Sequence, residues 1–256
     1  MKKIIFLLIL VFAACCVYSQ DIDFEYKFFE NAHHKFKTKK IESSKLVLGE
    51  NKEEDITETV LDIDETVLSV GETNRVRQGT TIVSQTVNGK DTLNDLPDEI
   101  KNSVVIYEQN RKGKCVGLYK EDGSSFPEFN ASEEEPIFPD DKIKVGGSWV
   151  WNRDVMGTKV PFKCTLEKIY SKDGVDIAKI DIEIDDNVKL RIIDLETFMD
   201  AKVTGSGVFY YAVNYGNDLY LDYELQFNVP FPVKTQEGPV QAEIIATQTY
   251  KYWRCN

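Results

Sequence analysis

From Leu219 to Phe231 the chain alternates without interruption. Leu219, Leu221, Tyr223, Leu225, Phe227, Val229 and Phe231 occupy one parity, and Tyr220, Asp222, Glu224, Gln226 and Asn228 the other. Successive side chains of a strand project to opposite faces, so this stretch reads as an antiparallel strand with one buried and one wet side. The pattern returns from Phe209 to Tyr215 and from Val240 to Trp253. It also flanks Lys172-Asp173-Gly174, where Phe162, Cys164 and Leu166 lead in and Ala178, Ile180, Ile182 and Ile184 lead out. Asp-Gly between alternating runs predicts a hairpin, as does Asn88-Gly89, and Gly113 predicts a turn between Ser103–Gln109 and Cys115–Tyr119. Strands joined by short turns make an antiparallel meander.

Helix signals are few. After the first nineteen residues alanine stands only at positions 32, 131, 178, 201, 212, 242 and 246, while β-branched and aromatic residues are plentiful. Leu93, Leu96 and Ile100 around Pro97 predict a short helix beginning near Pro97. Leu190 to Ala201, with Ile192, Ile193, Leu195, Phe198 and Met199, fits either a short helix or a strand followed by a loop. Gly205-Ser206-Gly207 reads as a bend or bulge. Proline at 127, 136 and 139 coincides with Glu133 to Glu135 and few β formers, which marks residues 127–141 as a linker or long loop. The expected fold is mainly β: antiparallel meander sheets in two packed halves, residues 20–126 and 142–256, arranged as a curved-sheet clam or a sandwich with one or two short helices.

Lys2 and Lys3 precede an uncharged apolar run from Ile4 to Val17, the layout of a secretory signal peptide over residues 1–19. The competing reading is a lipoprotein signal in which Phe12, Ala13 and Ala14 lead into a lipid-bearing Cys15. Either places the mature chain outside the cytoplasm: periplasmic, on the cell surface or extracellular. No later stretch has the length and apolarity of a membrane-spanning helix. The net charge of -12, which becomes -14 when Lys2 and Lys3 leave, argues against a nucleic-acid surface. Cys115, Cys164 and Cys255 would survive cleavage, and an oxidising compartment favours one disulfide, for which Cys164 and Cys255 are the candidates.

Phe138-Pro139-Asp140-Asp141-Lys142-Ile143-Lys144-Val145-Gly146-Gly147-Ser148-Trp149 resembles a segment of uncharacterised exported bacterial β-rich envelope proteins. In those a proline-led strand runs into Val-Gly-Asp-Ser-Trp; Gly147 stands here in place of the Asp. The resemblance implies curved sheets like those of lipoprotein carriers, and no catalytic residue. Val60-Leu61-Asp62-Ile63-Asp64-Glu65-Thr66-Val67-Leu68 resembles the first motif of haloacid dehalogenase phosphatases, secreted acid phosphatases among them. By that resemblance Asp62 would be the nucleophile and Asp64 the acid, with Gly216-Asn217-Asp218 and Asp222 echoing the metal motif. Against it, that superfamily is a parallel α/β fold whose first motif follows a buried hydrophobic strand and precedes helices, whereas here Asp55, Thr57, Glu58 and Thr59 precede the motif and Gly71, Gly79 and the Asn88-Gly89 hairpin follow it.

His33 and His34 are the only histidines, and neighbours on a strand face opposite sides, so they do not form a chelating pair. Asp181, Glu183, Asp185 and Asp186 read as the solvated face of a strand, with calcium binding as the alternative. No metal or other cofactor is expected. Trp149, Trp151, Tyr211, Tyr215, Tyr223 and Phe227 would line a ligand cavity if curved sheets fail to close. The function expected is non-enzymatic binding of an apolar small molecule or an envelope protein. The alternatives are the phosphatase using Asp62 and Asp64, and a structural surface component.

Overall fold

The computed structural model describes residues 21–48, 51–155, 158–192, 197–235 and 238–255. The leader at 1–19, with Cys15, lies outside the described residues. From the first half come β1 (His33–Leu48), β2 (Asn51–Ser69), β3 (Thr73–Val87), the two-residue β4 (Lys90–Asp91), β5 (Asn102–Asn110) and β6 (Cys115–Lys120). From the second come β7 (Ser148–Val155), β8 (Thr158–Lys172), β9 (Val175–Ile192), β10 (Thr197–Ala212), β11 (Asn217–Thr235) and β12 (Gly238–Cys255). All belong to one open antiparallel sheet in the order β6-β5-β3-β2-β1-β12-β11-β10-β9-β8-β7, with β4 hydrogen-bonded to β3.

The sheet is thus two meanders joined where the first strand meets the last, with Lys35 opposite Cys255 and Leu48 opposite Ala242. The halves meet edge to edge, because β1 and β12 lend each other a full ladder of backbone partners, and are not stacked as a sandwich. Asp173 and Gly174, both at positive φ, turn β8 into β9, and Asn88-Gly89 turns β3 into β4. Among the described residues helix is confined to a 3-10 turn at Leu93–Asp95 and one α turn at Asp98–Lys101, directly after Pro97. The ambiguous region around Leu190 to Ala201 is strand on both sides: β9 continues to Ile192 and β10 begins at Thr197.

The second half curls. Adjacent strands lie about 4.8 Å apart, so β7 and β12 would be about 24 Å apart in a flat sheet. Yet the Arg153 guanidinium on β7 lies 4.9 Å from the ring centre of Tyr223 on β11 and 4.8 Å from that of Tyr250 on β12. Gly205 and Gly207 make the bend: a Cβ there would lie 2.2 Å from the Glu224 carbonyl and 2.4 Å from that of Asp222, so only glycine lets β11 come this close. Pairing with β11 stays in register at both glycines, so they mark close approach and not a bulge.

The concave side of this half holds the core. Phe162, Leu166, Ile180, Val203, Leu225 and Phe227 are fully buried, each on the apolar parity of its strand. Two irregular segments cover it. Residues 121–147 must travel from β6 at one edge of the sheet to β7 at the other, and they carry the expected linker. Residues 21–32 lie beside them, Ile22 and Ile143 exchanging backbone hydrogen bonds of 2.8 Å. Phe24 from the one and Phe138 from the other stack at 5.2 Å and are sealed from solvent, with Tyr211 edge-on to both.

Candidate functional site

The seam of β1 and β12 is polar on its inner side. Where the N-terminal segment crosses this seam it covers one side of a partly open chamber of about 130 Å³. Tyr26 brings its hydroxyl there and donates to Asp218 Oδ1 at 2.9 Å, and on the facing wall Tyr107 donates to Glu65 Oε1 at 3.0 Å. Rings of Phe28, Phe36 and Tyr252 complete much of the lining. The segment is held down from several sides: Tyr26 N to Arg111 O at 2.7 Å, Lys27 N to Gly216 O at 2.9 Å, and Asn31 N to Val67 O at 2.9 Å. Gly216, at φ 63°, permits this, since a Cβ would stand 2.5 Å from Lys27 N.

Both carboxyls are pushed toward neutrality. Burial raises Glu65 to about 7, against the opposing Tyr107 hydrogen bond, and raises Asp218 to about 6 against Tyr26 and the more distant Arg153 and Arg254. Among the described residues no lysine or arginine forms an ion pair with either. Arg254 instead donates through Nη2 to His34 Nδ1 at 2.7 Å. An arginine can only donate, so that ring nitrogen is bare and the imidazole neutral; burial and Arg254 both lower its pKa. The Lys27 ammonium points away, to the carbonyls of Val213 and Asn214.

Local pairing explains how these groups come inside. In β2 the odd positions Leu61, Ile63, Glu65 and Val67 share the inner parity, so the two aspartates of the phosphatase-like motif face outward while the next residue, Glu65, turns in. Asp218 needs an irregularity. Tyr210 pairs with Tyr220 but Tyr211 with Asp218, so Leu219 is bulged out and the parity of β11 reverses at its start. Opposite the inward Tyr211, Asp218 faces inward too.

Asp62 and Asp64 lie in the middle of a 19-residue antiparallel strand, exposed, opposite Lys37 at 3.4 Å and Lys35 at 3.9 Å. Aspartyl phosphatase chemistry needs a nucleophile at the end of a parallel strand with helices behind it. This sheet brings neither, and the motif here is a row of surface ion pairs. Of the aromatics expected to line a cavity, Trp149, Tyr211, Tyr223 and Phe227 are packed in the core, Trp149 donating to Ile137 O at 2.9 Å. Trp151 packs edge-on against Phe162 under Arg153. Tyr215 is 51% exposed beside a surface groove that shares His34 and Asn217 with the chamber.

The expected bridge between Cys164 and Cys255 is not formed. The two sit on β8 and β12, with three strands between them in the sheet order, and Cys115, Cys164 and Cys255 are all free thiols. The acids of β9 face lysines: Glu183 pairs with Lys163 at 2.9 Å, Asp181 with Lys179 at 3.0 Å, and Asp185 with Lys202. Among the described residues no group of three or more His, Cys, Asp or Glu side chains is placed to hold a metal ion. No described helix is long and apolar enough to cross a membrane. Compared with known proteins, the chain matches no family model and no curated sequence.

Proposed function

We propose that this is an exported, non-enzymatic binding protein of the cell envelope, which holds a small ligand in the seam chamber beneath its N-terminal segment. One observation carries the reading. The core of the second half is filled by its own aromatic side chains, whereas the chamber is walled by two partly buried carboxyls held toward neutrality, each met by a single tyrosine hydroxyl. A ligand that satisfies those groups supplies a reason for their burial. The volume is that of a small molecule, since a cavity of about 150 Å³ accommodates benzene.

Residues 21–32 cover the chamber, held by backbone bonds, by Tyr26 to Asp218 and Tyr211 to Glu25 O at 2.5 Å, by Lys27 Nζ to the carbonyls of Val213 and Asn214, by Lys112 Nζ to Asp23, and by the buried ring of Phe24. Native mass spectrometry of the protein recovered from the envelope without denaturation tests the reading. A single small adduct is expected, lost when the N-terminal segment is displaced by Gly216→Ala. A bare mass for the intact protein at every stage of purification counts against it.

A further inference from the structure

Asn130 stands in the middle of Glu128-Phe129-Asn130-Ala131-Ser132. An asparagine with a hydroxyl residue two positions later, and no proline between them, is the acceptor sequence for N-linked sugar. Glu128 adds, two positions earlier, the acid that marks the extended form of that sequence in exported bacterial proteins. No other asparagine of the chain is followed at the second position by serine or threonine.

The structure puts this sequence where a transferase reaches it. It lies in the irregular segment that runs from β6 to β7, and Glu128, Asn130 and Ser132 are all exposed. Phe126 N is still bonded to Leu118 O on β6, and Glu135 Oε2 accepts from Asn152 Nδ2 on β7 at 2.6 Å. Between those two anchors the hydrogen bonds are local turns, Phe129 N to Phe126 O at 3.2 Å and Glu133 N to Asn130 O at 3.0 Å. An acceptor peptide has to be lifted from its protein into the enzyme's groove, and here that breaks no β ladder.

The acceptor amide itself is engaged only within the turn. Ser132 donates to Asn130 Oδ1 through its backbone N–H at 3.1 Å and its hydroxyl at 2.7 Å, and Asn130 Nδ2 donates to Glu133 Oε1 at 2.6 Å. No sheet or core contact is lost when that side chain turns outward.

Resting on the export in the reading above, and on nothing in the chamber, we infer that Asn130 is a site of N-linked glycosylation. Its Nδ2 attacks the anomeric carbon of an oligosaccharide carried on a polyprenyl diphosphate. The N–C bond forms as the C–O bond to the diphosphate breaks, the lipid diphosphate departs, and the amide proton passes to a carboxylate of the transferase. Exposure in the finished fold lets the transfer follow folding.

Peptide mapping by mass spectrometry of the protein recovered from the envelope of its own cells tests the site. A saccharide mass is expected on the peptide that contains Asn130. It should be lost completely in Asn130→Gln and in Ser132→Ala, kept in Ser132→Thr, and reduced severalfold in Glu128→Gln. Unchanged circular dichroism across the four variants shows that no loss comes from misfolding. A protein whose leader has been removed but whose Asn130 is bare overturns the glycosylation and leaves export standing. A protein with its leader still attached and no sugar overturns both. Sugar that persists in Asn130→Gln lies elsewhere, and it too overturns the assignment.

Discussion

Glu65→Gln should make the protein more stable, and more so the higher the pH. The unfolded chain ionises Glu65 near its ordinary value of 4.5, whereas burial holds the folded carboxyl protonated up to about 7. Between those values the unfolded state has released a proton that the folded state retains, so stability falls as pH rises and the full cost is present above pH 7. A separation of about 2.5 pH units corresponds to about 3 kcal/mol. Glutamine keeps an oxygen for the Tyr107 hydroxyl and cannot ionise, so the variant should exceed the wild type by about 3 kcal/mol at pH 8 and by little at pH 4.5. Urea unfolding reads this directly. With a slope of about 3 kcal/mol/M for a chain of this size, the midpoint difference at pH 8 is about 1 M.

The variant-minus-wild-type difference is the quantity to follow, because His34 works in the opposite sense. Its folded pKa is lowered, so it weakens the fold as pH drops below 6.5. Asp218, raised from 3.8 to about 6, acts with Glu65, and the two influence each other, so Asp218→Asn should show the same sign and the pair should not be additive. A variant less stable than wild type at pH 8, or a difference that does not change with pH, would refute the claim that Glu65 is desolvated.

Three further outcomes follow from the packing. Gly216→Ala combines a left-handed backbone with a Cβ overlapping Lys27, and should cost about 1–3 kcal/mol while speeding hydrogen exchange at the Tyr26 and Lys27 amides and leaving β9 and β10 protected. Phe138→Ala removes a sealed ring that contacts Phe24, Trp149, Phe209 and Tyr211, and should cost about 3–5 kcal/mol in chemical denaturation. In the native protein Cys164, buried and pushed up to about 12, should resist alkylation by iodoacetamide, whereas half-buried Cys255 reacts; mass mapping showing the reverse would contradict the side of β8 assigned to the core.

Much of the fold was written in the residues. The period of two placed the inward faces of β8, β9 and β11, and Asp173-Gly174, Asn88-Gly89 and Pro97 marked two turns and a helical turn, because these depend on neighbours within a few positions. Glu65 was legible as well, as a carboxylate on the apolar parity of Leu61, Ile63 and Val67, although the motif match falls on Asp62 and Asp64 of the opposite parity. What only the tertiary structure decided was long-range. The pairing of the first strand with the last made one sheet of two halves and put Cys164 three strands from Cys255. The bulge at Leu219 turned Asp218 inward against the local pattern. Tyr26, in a segment without periodicity, acquired its role only when backbone bonds to Arg111 and Gly216 laid it across the seam. Alternation tells a strand which side to bury, but registers, bulges and crossing segments are set by partners far along the chain, and the chamber is built from those.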